Sequence, residues 1–139
     1  MLLTIEKVAI LKSADIFAET PEDVLVSVAS IVEHIELEAG ETFIHKGELE
    51  DDMFIIVDGQ VLVHDDEREI GLLVAGEVVG EMAALDPAPR LASVTATEET
   101  RLFRIEKDAF DEVLIERPEI ALGIIRVLIR RLREAIQKQ

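Results

Sequence analysis

The chain has 139 residues, of which 49% are apolar, and its formal net charge is −16. This length suits one domain with a core of its own, and the apolar content excludes a disordered chain. It has no cysteine, which excludes disulfides and thiolate chemistry, and no run of about 18 apolar residues that could span a membrane. Charged residues interrupt the apolar pattern of the N-terminus, so we expect a cytoplasmic protein without a signal peptide or membrane insertion.

The charge is distributed unevenly along the chain. Residues 126–139 carry five cations and one acid, a net of +4, which leaves −20 on the other 125 residues. So acidic a surface is a poor general binder of nucleic acids or anionic lipids. An anionic ligand must therefore rely on local donors.

The N-terminal segment is predicted to be helical. Leu3, Val8 and Leu11 recur at roughly helical spacing, which predicts a first helix within residues 3–12. Thr20 followed by Pro21 predicts an N-cap and a proline at the first helical position. The second helix is expected over residues 21–30.

From Val32 the pattern changes to the period-two alternation of strands, with Ile35 and Leu37 as the inward pair. Glycines or acidic turns separate the segments, and Asp58-Gly59 is a hairpin signal. Short strands with glycine corners are typical of a sandwich or jelly roll. The predicted strands lie within residues 32–39, 41–46, 53–58, 60–66 and 67–77, with two more in 91–105.

Helical spacing returns at Glu106. Phe110, Val113 and Leu114 share one face of a helix, and Pro118 breaks that helix and begins the last one. The last helix has an arginine-rich face opposite a stripe of apolar residues at three- and four-residue steps: Ile120, Ile124, Val127, Leu128, Leu132 and Ile136. We therefore expect one domain, residues 1–139, with N-terminal helices in 1–31, a β-roll in 32–105 and C-terminal helices in 106–139.

The stretch from Gly76 to Ala96 carries the chemistry. Gly80 precedes a short helical run whose first amides lack intrahelical acceptors and can bind an anion. Arg90 could add a bidentate contact to a phosphate, and Glu81 could accept hydrogen bonds from sugar hydroxyls. These groups together suit a phosphorylated sugar. The alternative is a plain strand–turn–helix connection with a surface arginine.

The glycine framework resembles the cyclic nucleotide-binding domain family, which includes catabolite activators and protein kinase A regulatory subunits. The resemblance covers nearly the whole chain. It implies a mainly β fold with flanking helices (α+β), an antiparallel β-roll or jelly roll with short N-terminal helices and a C-terminal helical lid. It also implies a phosphate-binding cassette within residues 76–94. The matching positions are Leu37, Gly40, Gly47, Met53–Ile56, Gly59, Val61, Gly76, Gly80, Glu81 and Arg90.

The resemblance further implies a ligand-binding set. Glu81 would accept from the ribose 2′-hydroxyl and Arg90 would pair with the cyclic phosphate. Apolar β-roll residues such as Val74 would line the base pocket, and the final helix would close over the base and signal by moving. The implied ligand-binding residues are Gly80, Glu81, Met82, Ala83, Arg90, Leu91 and Ala92.

Leu91 departs from the family pattern, because the residue after the arginine is usually alanine, serine or threonine. Leucine keeps its backbone N–H but offers no hydroxyl to a phosphate or a guanine amino group. We therefore expect cyclic AMP to be favoured over cyclic GMP. The alternative is a degenerate domain that binds no nucleotide and serves dimerisation or docking.

Other chemistries find no support in the sequence. Its three histidines, His34, His45 and His64, are at least eleven residues apart, which does not suit a metal site. Ser93 has no evident base partner. We expect no enzyme activity, catalytic residue, metal or cofactor. The last helix is expected to pair with a second copy rather than bind nucleic acid. Either an effector domain of a larger parent protein would supply the output, or the chain would act as a small stand-alone protein.

Overall fold

The structure is a computed structural model that describes residues 2–138, so the predicted domain limits at residues 1 and 139 lie outside the described residues. The chain forms two compact units. A helical unit comprises the chain up to Ile31 and from Asp108 onward, and a β unit comprises Val32–Lys107. No described helix is both long and apolar enough to cross a membrane.

The secondary structure follows the predicted order of helices, strands and helices. The helices are α1 (Thr4–Ser13), a 3₁₀ turn (Asp15–Phe17), α2 (Glu22–Ala29), α3 (Glu81–Leu85), α4 (Lys107–Glu116) and α5 (Pro118–Gln137). The strands are β1 (Glu33–Leu37), β2 (Thr42–Ile44), β3 (Met53–Asp58), β4 (Gln60–Asp65), β5 (Arg68–Val74), β6 (Val78–Val79), β7 (Ser93–Ala96) and β8 (Thr100–Ile105).

The β unit consists of two four-stranded antiparallel sheets. One has the order β1-β8-β3-β6 and the other β2-β7-β4-β5. The predicted antiparallel β-roll is confirmed. The short strand β6, which pairs with β3, was not predicted because two valines carry no alternation. A shared apolar core is formed by Leu37, Ile44, Phe54, Ile56, Val61, Val94, Ala96 and Leu102.

The helical unit is built around the 3₁₀ turn. Phe17 is fully buried, and its ring meets the edge of Phe110 at a centroid distance of 6.2 Å. The turn packs against α5, where Arg131 donates to the Asp15 carboxylate through Nη2 at 2.8 Å and Arg130 pairs with the same carboxylate. Apolar and charged contacts therefore hold the same two segments together.

The predicted cap of α2 is wrong by one residue. Pro21 is the N-cap and the helix begins at Glu22, while Thr20 makes no capping hydrogen bond. The backbone N–H of Thr20 donates to the carbonyl of Phe17, which makes Thr20 part of the preceding turn. Its buried hydroxyl has no hydrogen-bond partner among the described residues and faces Gly123 of α5.

The predicted apolar stripe of α5 is buried only in its first half. Ile120 and Val127 have no exposed surface, whereas Leu132 and Ile136 are 61% and 64% exposed. The second half of the helix therefore presents a row of exposed apolar side chains.

Substituting Gly123 by alanine should destabilise the protein, although alanine is intrinsically the better helix former by about 1 kcal/mol. The new Cβ would lie 2.6 Å from the hydroxyl oxygen of Thr20 and 3.2 Å from the carbonyl of Glu19. Overpacking of this kind costs about 1–3 kcal/mol. Chemical denaturation should show the loss, and Thr20→Ala in the same chain should recover most of it.

The matched control is Gly71→Ala, because a Cβ at Gly71 would meet nothing within 4 Å. Gly123→Ala as stable as the parent would contradict the close approach of α5 to Thr20.

Candidate functional site

The site begins where β6 ends at a left-handed glycine. Gly80 has φ of +86° and forms the N-cap of α3. A Cβ at this position would lie 2.7 Å from the carbonyl oxygen of Asp52 and 2.8 Å from Nη1 of Arg90. Both the backbone conformation and the close approach therefore require glycine.

Arg90 is buried beside this glycine, with only 5% of its side chain exposed. Its Nη2 donates to the carbonyl of Asp52 at 2.6 Å, and its Nη1 donates to the carbonyl of Gly80 at 3.4 Å. The alternative of a surface arginine is wrong. Two main-chain carbonyls fix the guanidinium in place before any ligand arrives.

The backbone of Arg90 is fixed as well. Its N–H donates to the carbonyl of Glu48, and its carbonyl accepts from the N–H of Gly47, both at 2.9 Å. These two bonds join the end of the cassette to the β2–β3 loop. Side chain and backbone together tie Arg90 to the same loop.

A cavity of about 350 Å³ opens beside Arg90. This volume is within the range of small-molecule sites, about 300–1,000 Å³. Its apolar wall includes Ile44, Val63, Leu73 and Val94. All seven residues of the predicted ligand-binding set line it: Gly80, Glu81, Met82, Ala83, Arg90, Leu91 and Ala92.

The expectation for Val74 is wrong. Leu73 pairs with the fully buried Val61 and shares its inward face, so the neighbouring Val74 points outward and is 45% exposed. Leu73 lines the cavity in its place. The sequence Gly-Leu-Leu-Val has no polar residue to mark the outward face, so the register could not be read from it.

Arg90 lies in a strongly acidic environment. Burial lowers the pKa of Arg90, while the carboxylates of Glu50, Asp52, Asp51 and Glu81 oppose that shift. Four acids thus surround one cation that remains charged. A bound anion would gain from Arg90 and be repelled by the carboxylates.

Two exposed apolar side chains line the cavity. Met82 and Leu91 line it and are 64% and 76% exposed. Leu91 offers a backbone amide and a large apolar side chain, and it brings no hydroxyl to this position.

The histidines are not gathered into a metal site. Among the described residues no group of three or more histidine, cysteine, aspartate or glutamate side chains could hold a metal ion. The ring of His34 meets the edge of Phe103, and Nε2 of His64 is 2.8 Å from the hydroxyl of Thr95.

No pattern in the sequence indicated the part played by Asp52. It contributes its main-chain carbonyl to Arg90, and any residue type could supply that group. Ile44, Val63 and Val94 on the apolar wall could have been found from strand alternation, since each has the inward parity of its strand.

Comparison with known proteins finds a matching family model and similar proteins. A family model described as "Cyclic nucleotide-binding domain" matches residues 34–117. The chain is 33% identical over 129 residues to the "CRP-like cAMP-activated global transcriptional regulator" of Mycobacterium tuberculosis. That match covers 89% of this chain and 58% of the relative, so the chain spans little more than half of that regulator.

The fold is also similar to that of solved structures. The N-terminal domain of a transcriptional regulator from Streptomyces coelicolor A3(2) superposes with a TM-score of 0.83 at 28% identity, covering 93% of this chain and 94% of that one. The regulatory domain of Toxoplasma gondii PKA with cAMP superposes with a TM-score of 0.73 at 25% identity, covering 79% of this chain and 44% of that one.

Substituting Gly80 by alanine should destabilise the β unit more than the same substitution at a left-handed glycine that has no close neighbours. Strain at positive φ costs about 1–2 kcal/mol, and the contacts with Arg90 and Asp52 add an overpacking cost of about 1–3 kcal/mol. Gly40→Ala is the matched control, since Gly40 has φ of +94° and a Cβ there would meet nothing within 4 Å. Thermal unfolding of the two variants should separate strain from clash, and equal losses would contradict the packing at Gly80.

Proposed function

The chain belongs to the cyclic nucleotide-binding domain family, and we propose that its cassette cavity binds a cyclic nucleotide as the input of a regulatory module. The observation that carries this proposal is Arg90, a buried cation held at the polar end of an apolar cavity. The guanidinium is already desolvated and is held in place by two carbonyls, which suits it to bind a phosphate. The relative named as cAMP-activated and the structure solved with cAMP support the same ligand class.

The roles of the site residues follow from their chemistry. Arg90 would pair with the cyclic phosphate, and the first-turn amides of α3, at Met82 and Ala83, would donate to its oxygens. The amides of Leu91 and Ala92 would add further donors. The carboxylate of Glu81 would accept from the ribose 2′-hydroxyl, and the apolar wall would contact the base.

Cyclic AMP is proposed as the preferred ligand. Guanine carries an exocyclic amino group that needs an acceptor, and Leu91 supplies an apolar side chain where a hydroxyl would serve. An unpaired buried donor costs about 1–3 kcal/mol. Leu91 therefore disfavours cyclic GMP more than cyclic AMP.

The output is proposed to pass through α5 as the helical lid. Movement of α5 can signal only if the nucleotide prefers one position of the helix, because equal affinity for both positions would shift nothing. An effector region of a longer cytoplasmic parent protein would receive the signal. The domain itself is proposed to have no enzyme activity and no direct contact with nucleic acid.

A homodimer through α5 is proposed from its exposed apolar face. The exposed residues recur at alternating steps of three and four, the spacing of a coiled-coil seam. This seam consists of Leu122, Ile125, Ile129, Leu132 and Ile136, all more than 40% exposed.

The second candidate is a domain that binds no nucleotide and serves dimerisation or docking. The exposed seam of α5 favours it, as does the acidic environment of Arg90. Nucleotide titration separates the two candidates directly.

Calorimetric titration should detect cyclic AMP binding at sub-millimolar concentration, with cyclic GMP weaker. Arg90→Ala should lose about 1.5–3 kcal/mol of binding free energy, roughly a 10- to 150-fold loss, because a charge-assisted phosphate contact is removed. Arg101→Ala is the control, since Arg101 is an exposed cation paired with Asp58. No binding of either nucleotide would favour the docking domain. An Arg90→Ala variant with parental affinity and an intact fold would instead contradict the pairing of Arg90 with the phosphate.

Light scattering should give about twice the monomer mass of 15.5 kDa at micromolar concentration. Leu132→Glu should shift the protein to monomer, because it places a charge in the seam. Ile115→Glu is the control, since Ile115 is 81% exposed on α4 and lies outside the seam. If the unsubstituted chain is monomeric at these concentrations, the seam is ruled out as a dimer interface.

A further inference from the structure

Arg90 separates two cavities of the β unit. It lines the cassette cavity and also a smaller one of about 190 Å³. The smaller cavity is lined by Phe43, Glu50, Asp51, Asp52, Phe54 and Arg90, with the two phenylalanine rings in edge contact at 5.0 Å. Three acidic residues thus share with Arg90 the lining of a cavity that the proposed ligand does not occupy.

Glu50 lies within ion-pair distance of Arg90. Its Oε1 lies 4.0 Å from Nε of Arg90, and that buried Nε has no hydrogen-bond partner among the described residues. The N–H of His45 donates to the same Oε1 at 2.9 Å, which fixes the carboxylate. Glu50 is therefore held near Arg90 without being hydrogen-bonded to it.

Both acids have a further side-chain partner. Oε2 of Glu50 lies 3.3 Å from Nδ1 of His45, and the carboxylate of Asp52 accepts from Nε of Arg104 at 2.8 Å. Burial lowers the pKa of Arg90, and among the carboxylates that oppose this shift Glu50 acts most strongly. Contact geometry and electrostatics both single out Glu50.

We propose that Glu50 acts through Arg90 as a charge selector that makes the site prefer a singly charged phosphate diester to a doubly charged phosphate monoester. This inference rests on the proposed function, because it concerns the phosphate that Arg90 would bind. Glu50 is a specificity-determining residue here and touches no ligand. The ligand class it would reject includes the 5′-monophosphate formed when a cyclic nucleotide is hydrolysed.

The physical reason is that the Coulomb energy between Glu50 and a ligand is proportional to the ligand's charge. A cyclic phosphate carries one negative charge, whereas a monoester carries two above its second pKa of about 6. Repulsion by Glu50 therefore penalises the monoester about twice as strongly in free energy. Arg90 alone would attract the dianion more, and the fixed carboxylate opposes that preference.

The test is Glu50→Gln, which removes the charge and keeps an oxygen for the N–H of His45. Cyclic AMP and 5′-AMP compete for the site against a fluorescent cyclic AMP analogue at pH 8, where the monoester is a dianion. We expect the affinity for cyclic AMP to rise roughly fivefold and that for 5′-AMP roughly 25-fold. The dissociation constant of 5′-AMP divided by that of cyclic AMP should therefore fall about fivefold.

Two further variants serve as controls. Glu50→Asp keeps the charge and should retain the parental ratio. Glu98→Gln removes one charge from an exposed turn that lines neither cavity, and it should leave the ratio unchanged. Thermal unfolding of each variant checks that the fold is retained.

The outcomes separate this inference from the proposed function. Suppose that the unsubstituted chain binds cyclic AMP. If Glu50→Gln then leaves the ratio unchanged, or lowers the affinity for both ligands equally, the charge selector is overturned and the proposed function stands. A ratio that falls as far in Glu98→Gln also overturns it, since the effect would then come from overall charge. If the parent binds no cyclic nucleotide, both are overturned.

Discussion

The β unit depends on the pair of hydrogen bonds that hold the guanidinium of Arg90 to the carbonyls of Asp52 and Gly80. A buried cation without such partners would be costly, because it loses its hydration. Gly80 makes the arrangement possible, since any Cβ there would strike both the arginine and the carbonyl of Asp52. Asp52 belongs to the β2–β3 loop, whereas Gly80 and Arg90 belong to the cassette, so the site forms only when these two segments meet.

Much of the fold was predictable from the sequence, because hydrophobic period and glycine corners report on local structure. Strand alternation located β1 to β5 and the β7–β8 hairpin, and the glycine framework indicated the cassette before any contact was known. The failures have different causes. The α2 cap lies at Pro21 while the backbone N–H of Thr20 belongs to the preceding turn, and the outward position of Val74 follows from the pairing of Leu73 with Val61.

The candidate site was predictable in its membership and unpredictable in its electrostatics. All seven expected residues line one cavity, since the cassette is a continuous stretch of sequence. The burial of Arg90, and the approach of Glu50 from a loop forty residues away, arise from long-range packing. The net charge of −16 predicted that the chain repels anions in general, but only the structure shows which carboxylates lie near Arg90.

Both acceptors that hold Arg90 are main-chain carbonyls, which every residue type carries. A substitution at position 52 therefore alters a side chain and leaves that anchor of the arginine in place. The charges around the guanidinium can thus change during evolution without moving the guanidinium itself. Related sequences can therefore acquire different ligand preferences through changes in these side chains, while the backbone groups that hold Arg90 stay the same.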